Sequence, residues 1–486
     1  MSTPFSSSFS NRRLTVLWLA WWRAVQHLRP ACHRSTTFLW LALVLAALCL
    51  RPDLAGVTSL VRSLGLLDGC YHSLLHFFHS DALPVADLTA CWLRAVRSLF
   101  ARFLVRVQGR PVVIVDGLKR PKEGRKMPSV KCLHQESDCN AKAPFIMGHS
   151  CQVVTLLVQG AGLTVGVPIA SRIHEGLVWS NRHRRSLLDK LGQLLLGLQW
   201  TEAVTVVADA YYAAGRFARN LLQNGHHLVT RVRSNAVAYR PVRPCRRRRR
   251  GRPRLYGQKI KLKHHFKLQD KFQSALSPVY DDRNVTIRYD FQDLVWRPLG
   301  CLVRFVWVIH PSRGRLILMS TDLGLSALEI IRLYGWRFKI EMGFKQSIHT
   351  VGAYAYHFWM RAMTPIRRGS GNQHLHRKSD DYRRQVRRKF AAYERHIQIG
   401  LIAQGLLQYL AIQFRGSVWR NLCAYVRTIN THVGPSEWVV TLALRNTWHD
   451  FLRFSPPGFI LKKFLASKID LRRSRNHEQF DLDEAA

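Results

Sequence analysis

The sequence predicts an α/β protein: a mixed sheet with helices on its faces, carried between helical regions at both ends of the chain. Three observations predict it. Short apolar runs rich in Val, Ile and Leu recur between residues 111 and 233 and alternate with amphipathic segments. Two of these runs, Pro111–Asp116 and Ala203–Asp209, end in an acid. Helical spacing of apolar residues governs the stretches on either side.

Taken in order, residues 1–105 read as helical. Ser35–Leu50 carries no charge for sixteen residues, fewer than the ~20 that span a membrane, so a buried helix is expected there. Gly56–Leu66 and Gly69–Ser80 read as two amphipathic helices joined by a turn, compatible equally with a helix-turn-helix and with any small bundle. After the first acid-ended run, Gln152–Gln159 and Leu163–Ala170 form a hairpin through Gly160-Ala161-Gly162. A helix is expected over Asn181–Leu198. The second acid-ended run follows, then a helix over Ala213–Asn224 closed by Gly225, then a strand over His226–Arg233. Further strands are expected at Val285–Tyr289, Leu302–Ile309 and Leu316–Ser320, inside a basic insertion. Ser326, with Glu329 at capping-box spacing, starts one long helix to His349. Arg367–Arg388 reads as a polar linker, Phe390–Phe414 as a long apolar helix, and the last twenty residues as a polar tail.

The chain holds 74 Lys and Arg against 30 Asp and Glu, a formal charge of +44 over 486 residues. With 47% hydrophobic residues it is too apolar for a disordered chain. So large an excess calls for a polyanionic partner, nucleic acid first and an anionic membrane surface second. The excess concentrates in Arg240–Lys263, which has twelve Lys or Arg and no acid. Its arginine run, Arg246, Arg247, Arg248, Arg249 and Arg250, continues with Arg252 and Arg254, and is read as contacting DNA phosphates. The ten cysteines include no C-x-x-C pair, which points to a reduced protein. Cys132, His134, Cys139, His149 and Cys151 fit no usual zinc spacing and are read as ordinary loop and strand residues.

Acids are scarce, so their placement is informative. Asp116 and Asp209 at the ends of neighbouring strands bring two carboxylates within reach of a shared divalent cation. Two hard-oxygen metal sites ~4 Å apart can hold both oxygens of an in-line displacement at phosphorus. A third acid completes the set, and Glu341 is the candidate. Tyr334, Arg337, Glu341 and Lys345 fall at offsets 0, 3, 7 and 11 on one helical face, so Tyr334, Arg337 and Lys345 are expected to grip phosphates beside the carboxylate.

At this point the residues resemble a known family. Tyr334-x-x-Arg337-x-x-x-Glu341 resembles the Y-R-E part of the Y-R-E-K signature of bacterial insertion-sequence transposases, which are DDE enzymes with an RNase H-like catalytic domain. VIVDG (Val113–Gly117) and VVADAYY (Val206–Tyr212) resemble the first and second aspartate motifs, and LHQES (Leu133–Ser137) and Ser320–Glu341 are similar to this family as well. The resemblance covers about residues 36–415. One position departs: the family's closing lysine falls on Ile348, and Lys345 is read as its replacement.

The resemblance implies an RNase H-like mixed sheet with a basic β-rich insertion before the glutamate helix. It implies metal-dependent cleavage at transposon ends and strand transfer into target DNA. Asp116, Asp209 and Glu341 would hold two Mg2+, with Mn2+ as substitute. The partners would be terminal inverted repeats and target DNA, bound by a homodimer in a synaptic complex, in a cytoplasmic, nucleoid-associated bacterial protein without membrane attachment. The expected partition is 1–105 (helical, binding DNA ends), 106–234 (first part of the catalytic domain), 235–320 (insertion), 321–365 (glutamate helix), 366–465 (basic linker and helices) and 466–486 (tail). An RNase H-like nuclease without strand transfer and a non-catalytic basic DNA-binding protein remain the alternatives.

Overall fold

The computed structural model describes residues 5–135, 143–182, 185–242, 254–280, 282–425, 429–456 and 458–470. Helices α1 (Phe5–Gln26), α2 (Ser35–Leu50), α3 (Gly56–Ser63), α4 (Cys70–His79) and α5 (Val85–Leu99) come first. A sheet follows, built from β1 (Arg110–Pro121), β2 (Phe145–Gly160), β3 (Leu163–Ile173), β4 (Thr205–Ala208) and β5 (His227–Arg231). Helices α6 (Leu187–Gly197) and α7 (Gly215–Gln223) are interleaved. The strands lie in the order β3-β2-β1-β4-β5, with β1, β4 and β5 parallel to one another and β2 antiparallel to both its neighbours. This is the mixed sheet with flanking helices of an RNase H-like fold.

The insertion is β-rich and continues the same sheet. Its long strands are β6 (Thr286–Trp296), β7 (Cys301–His310) and β8 (Gly314–Ser320), and β8 pairs antiparallel with β5 through Leu318–Ser320. Arg246, Arg247, Arg248, Arg249, Arg250 and Arg252 lie outside the described residues; Arg254 is exposed.

Several boundaries differ from expectation for physical reasons. The first acid-ended run does not stop at Asp116: β1 continues to Pro121 because Gly117–Pro121 pair with Gln152–Gly148 of β2 after β4 has ended. Helix α6 starts late, at Leu187, where Ser186 and Asp189 form a reciprocal capping box. The hairpin turn is confirmed, with positive φ at Ala161 and Gly162. The polar stretch expected as linker contains the first turns of α10 (Asp380–Gln413), capped by the Ser379 side chain, with Asp380 and Asp381 favourably placed in the first turn.

The sheet's two faces have different covers. Alternation along β1 turns Val113 and Val115 towards a large helical core and Val112 and Ile114 towards a smaller one. The large core joins residues from Leu17 to Phe100 with residues from Ala392 to Leu465. Helix α2 buries every residue from Leu41 to Leu50, packed against α10 and against α12 (Glu437–Asn446), which follows α11 (Arg415–Arg420). The expected buried helix is therefore present, and among the described residues no helix is long and apolar enough to cross a membrane.

Candidate active site

Strand alternation alone aims the two aspartates. Val112 and Ile114 face the smaller core, so Asp116, two residues on, shares their face; Val207 faces that core, and Asp209 follows it by two. Val115 pairs with Ala208 across the parallel β1–β4 ladder, which makes Asp116 and Asp209 the next residues on adjacent strands. The cover over this face carries the third acid.

That cover is not one uninterrupted helix. It consists of α8 (Ala327–Gly335), α9 (Phe338–Gln346) and a π-turn over Ser347–Val351. Between α8 and α9 the bonds tighten to i→i−3: Arg337 N donates to Tyr334 O at 3.1 Å and Ile340 N to Arg337 O at 3.2 Å. Such a turn eclipses side chains three apart, which aligns Tyr334 with Arg337. Ser326 caps α8 with Glu329 in the expected capping box.

Arg337 joins the acids. Its Nη1 donates to Asp116 Oδ2 at 3.1 Å and its Nη2 to Glu341 Oε1 at 2.7 Å. Tyr334 points its hydroxyl at Asp209 Oδ1, 3.5 Å away. Asp116 Oδ1 also accepts from Gly117 N at 2.7 Å. Burial pushes the Asp116 carboxyl up to about 6, with Asp209 and Glu341 adding repulsion and Arg337 opposing the rise. Burial disfavours the Arg337 charge, but Tyr334 and the three acids outweigh it and hold its pKa above the usual value. Burial raises the Tyr334 phenol to about 12, so it stays a neutral donor at physiological pH.

Lys345 is exposed and, among the described residues, forms no hydrogen bond or ion pair with the acids. Ile348, expected on the same stripe, is partly buried and packs against the helical core, because the π-turn rotates it away from that face. His149 is fully buried, with Nδ1 2.7 Å from the Tyr356 hydroxyl and Nε2 3.0 Å from Pro128 O, so both nitrogens are taken structurally.

The acids open into a cleft of about 650 Å³ lined by Asp116, Asp209 and Glu341 together with Lys131, His134 and Tyr211. A fourth acid, Glu175, lines it too and is paired with Lys131 at 3.1 Å. No sequence signal marks Glu175: it follows β3 with neither motif nor periodicity. Among the described residues no group of three or more His, Cys, Asp and Glu side chains is gathered tightly enough to hold a metal ion. The Arg337 guanidinium stands between two of the carboxylates instead. The donor set, carboxylates meeting around a cation, fits a hard divalent ion once Arg337 gives up those contacts.

The family model described as "DDE superfamily endonuclease" matches residues 27–294, more than half of the chain, a span that includes Asp116 and Asp209. No curated protein matches. Among solved structures, the chain is similar to one titled "Cryo-EM structure of piggyBac transposase synaptic complex with hairpin DNA (SNHP)", with 12% identity and a TM-score of 0.32 over 93% of this chain and 84% of that one. On the extent of the family match, this chain belongs to the DDE superfamily endonuclease family.

Proposed function

We propose that the chain is a transposase that cleaves DNA at the ends of a mobile element and transfers the freed strand into target DNA. The observation that supports this most is the placement of Asp116 and Asp209 side by side on adjacent parallel strands, with Arg337 joining Asp116 to Glu341 of the covering helix. Asp116, Asp209 and Glu341 would hold Mg2+ or Mn2+, two ions in the full site. Bound there, the ions supply Lewis-acid stabilisation of the attacking and leaving oxygens at phosphorus.

The remaining work falls to the chain's own groups. The acids must be ionised to act as ligands, and the raised Asp116 carboxyl sets the lower pH limit. Arg337, released from the carboxylates, is placed to donate two hydrogen bonds to a phosphate. The Tyr334 hydroxyl orients Asp209, and the exposed Lys345, one turn beyond Glu341, would hold a phosphate of the bound strand. The exposed Arg254, with the arginine run that precedes it in the sequence, would carry the DNA backbone. The partners in this reading are terminal inverted repeats and target DNA, engaged by a homodimer in a bacterial nucleoid.

The test replaces each acid by its amide: Asp116→Asn, Asp209→Asn and Glu341→Gln. Each variant should lose nicking and joining in Mg2+ while retaining DNA affinity, because size is kept and ligand charge is lost. An Asp209→Asn protein that still cuts at more than a few per cent of the normal rate removes the assignment. Nicking without any joined product moves the reading to a nuclease.

A further inference from the structure

A second cleft, of about 850 Å³, lies beyond the catalytic one and shares the Cys132 wall with it. One side is the segment after β1, lined by Pro121 to Arg125. The other is Ile366–Gly369, and Phe145 and Met147 line the cleft as well. Two backbone bonds stitch these walls together: Ile366 N donates to Arg125 O at 2.8 Å and Met360 N to Lys126 O at 2.9 Å. The cleft is therefore built into the fold.

Its charge and its aromatics point to one occupant. Residues 119–134 hold six Lys or Arg and one acid, and residues 357–378 hold five Lys or Arg and no acid. Arg125, Arg367 and Arg368 line the cleft and are exposed. Phe145, in the cleft wall, is 59% exposed, and Trp359, outside that wall but with its indole nitrogen beside the lining residue Gly124, is 65% exposed. Large aromatics left this open beside cations are what stacking on unpaired bases requires, and a paired duplex offers no free base faces. β1 links the two clefts: the five steps from Asp116 to Pro121 span ~17 Å at strand rise, roughly five phosphates at duplex spacing.

We propose that this cleft is a binding track for an unpaired DNA strand leading away from the catalytic acids, with Phe145 and Trp359 stacking bases and Arg125, Arg367 and Arg368 holding phosphates. The proposal rests on the DNA-processing reading above and specifies its substrate: an end whose strands are separated a few nucleotides from the reacting phosphate.

The experiment uses the full-length protein in EDTA, so that no cleavage occurs, and fluorescein-labelled DNA. One probe is a blunt duplex. The others carry an unpaired tail of about eight nucleotides on the 3′ or the 5′ strand. The wild type should bind one tailed duplex about tenfold or more tighter than the blunt one, within what one or two stacked bases supply. Phe145→Ala with Trp359→Ala should abolish that preference and leave blunt-duplex affinity unchanged. Both side chains are exposed, so an unaltered circular dichroism spectrum and melting curve are expected. Arg125→Gln, Arg367→Gln and Arg368→Gln combined should flatten the salt dependence of tail binding by about 2 in slope, at roughly 0.7 per single-strand phosphate contact. 5-Iododeoxyuridine in the tail should crosslink to the peptide holding Phe145 or Trp359.

Equal affinity for tailed and blunt DNA in the wild type overturns the proposal, as does a preference that survives the aromatic double variant or a crosslink mapping elsewhere. Binding of duplex without tail preference defeats this inference alone. Failure to bind any of the probes defeats the DNA-processing reading with it.

Discussion

Arg51 offers the sharpest test of how the Glu341 helix is held in place. It ends α2, is 1% exposed, and reaches the far end of the glutamate-bearing segment: Nε donates to Val351 O at 3.0 Å, and Nη2 to Gly352 O at 2.8 Å. A longer contact of 3.4 Å goes to Gly56 O. Val351 O and Gly352 O sit where the helical run ends, at the negative pole of its dipole. Burial lowers the Arg51 pKa to about 10, which leaves it charged at neutral pH. Replacement by Met fills most of the volume but leaves the buried Val351 carbonyl without a donor, while Gly352 O keeps its bond from Ala355 N at 2.9 Å. At about 1–3 kcal/mol for one orphaned group, the loss should be about 1–3 kcal/mol. Gly352 admits no rearrangement that would bring a side chain in: its φ is +68° and a Cβ there would lie 2.1 Å from Arg51 Nη2. A chain this long is a poor two-state system, so the assay is native-state hydrogen exchange. In Arg51→Met, amide protection across residues 347–355 should fall by roughly 5- to 150-fold, the equivalent of that free energy. The sheet amides of β1 should change much less. Protection of 347–355 within about threefold of wild type would show that Arg51 fills space rather than anchoring the helix.

Four further outcomes follow from the site and its surroundings. The folded Asp116 carboxyl titrates near 6 against an ordinary 3.8, so the folded state holds that proton more tightly than the unfolded chain. Its ionisation therefore costs stability above pH 6 and nothing below about pH 4, where both states are protonated. Asp116→Asn in EDTA should be more stable than wild type at pH 8 by about 1–3 kcal/mol, a gain that fades as denaturation is repeated towards pH 4. Arg337→Gln removes the group that opposes the effect of burial on Asp116, so the acid limb of the cleavage rate should move to higher pH; an unmoved limb separates Arg337 from Asp116 titration. Lys345→Ala should slow strand transfer about tenfold or more, ~1.4 kcal/mol in the barrier, with unchanged melting because the side chain is exposed. Ile348→Lys, by contrast, should lower stability by about 1–3 kcal/mol, since it sets an ammonium against the helical core.

The sheet and the acids were legible because strand alternation leaves a period-two record, and apolar runs terminating in Asp116 and Asp209 place both acids at one level. The shared helical face of Tyr334, Arg337 and Glu341 was legible for the same kind of reason, at a different period. What escaped was set by pairing and capping. β1 runs on past Asp116 because β2 still offers it partners, a fact about another strand. The first turns of α10 are polar, so no apolar period announces them; the Ser379 cap with Asp380 and Asp381 was the available mark. The π-turn that swings Ile348 inward leaves no trace in residue spacing. Arg337 was read as a phosphate grip, while its placement between Asp116 and Glu341 depends on a strand residue 221 positions away in sequence.

The packing of α2 also governs how the chain is made. Its apolar surface is covered by α10 and α12, and the first helices are tied to the last described residues: Trp18 Nε1 donates to Leu444 O, Leu67 N to Lys468 O, and Asp470 N to Gly65 O. Residues translated first thus wait for residues translated last. During synthesis Ser35–Leu50 leaves the ribosome with nothing to cover it, and contacts of this sequence separation close slowly. A message cut short before residue 437 would yield a polypeptide holding the whole sheet and all three acids but an α2 stripped of the cover that α12 gives it, prone to aggregate or to be degraded. Nonsense mutations late in the reading frame should therefore abolish accumulation of the protein rather than release an active fragment.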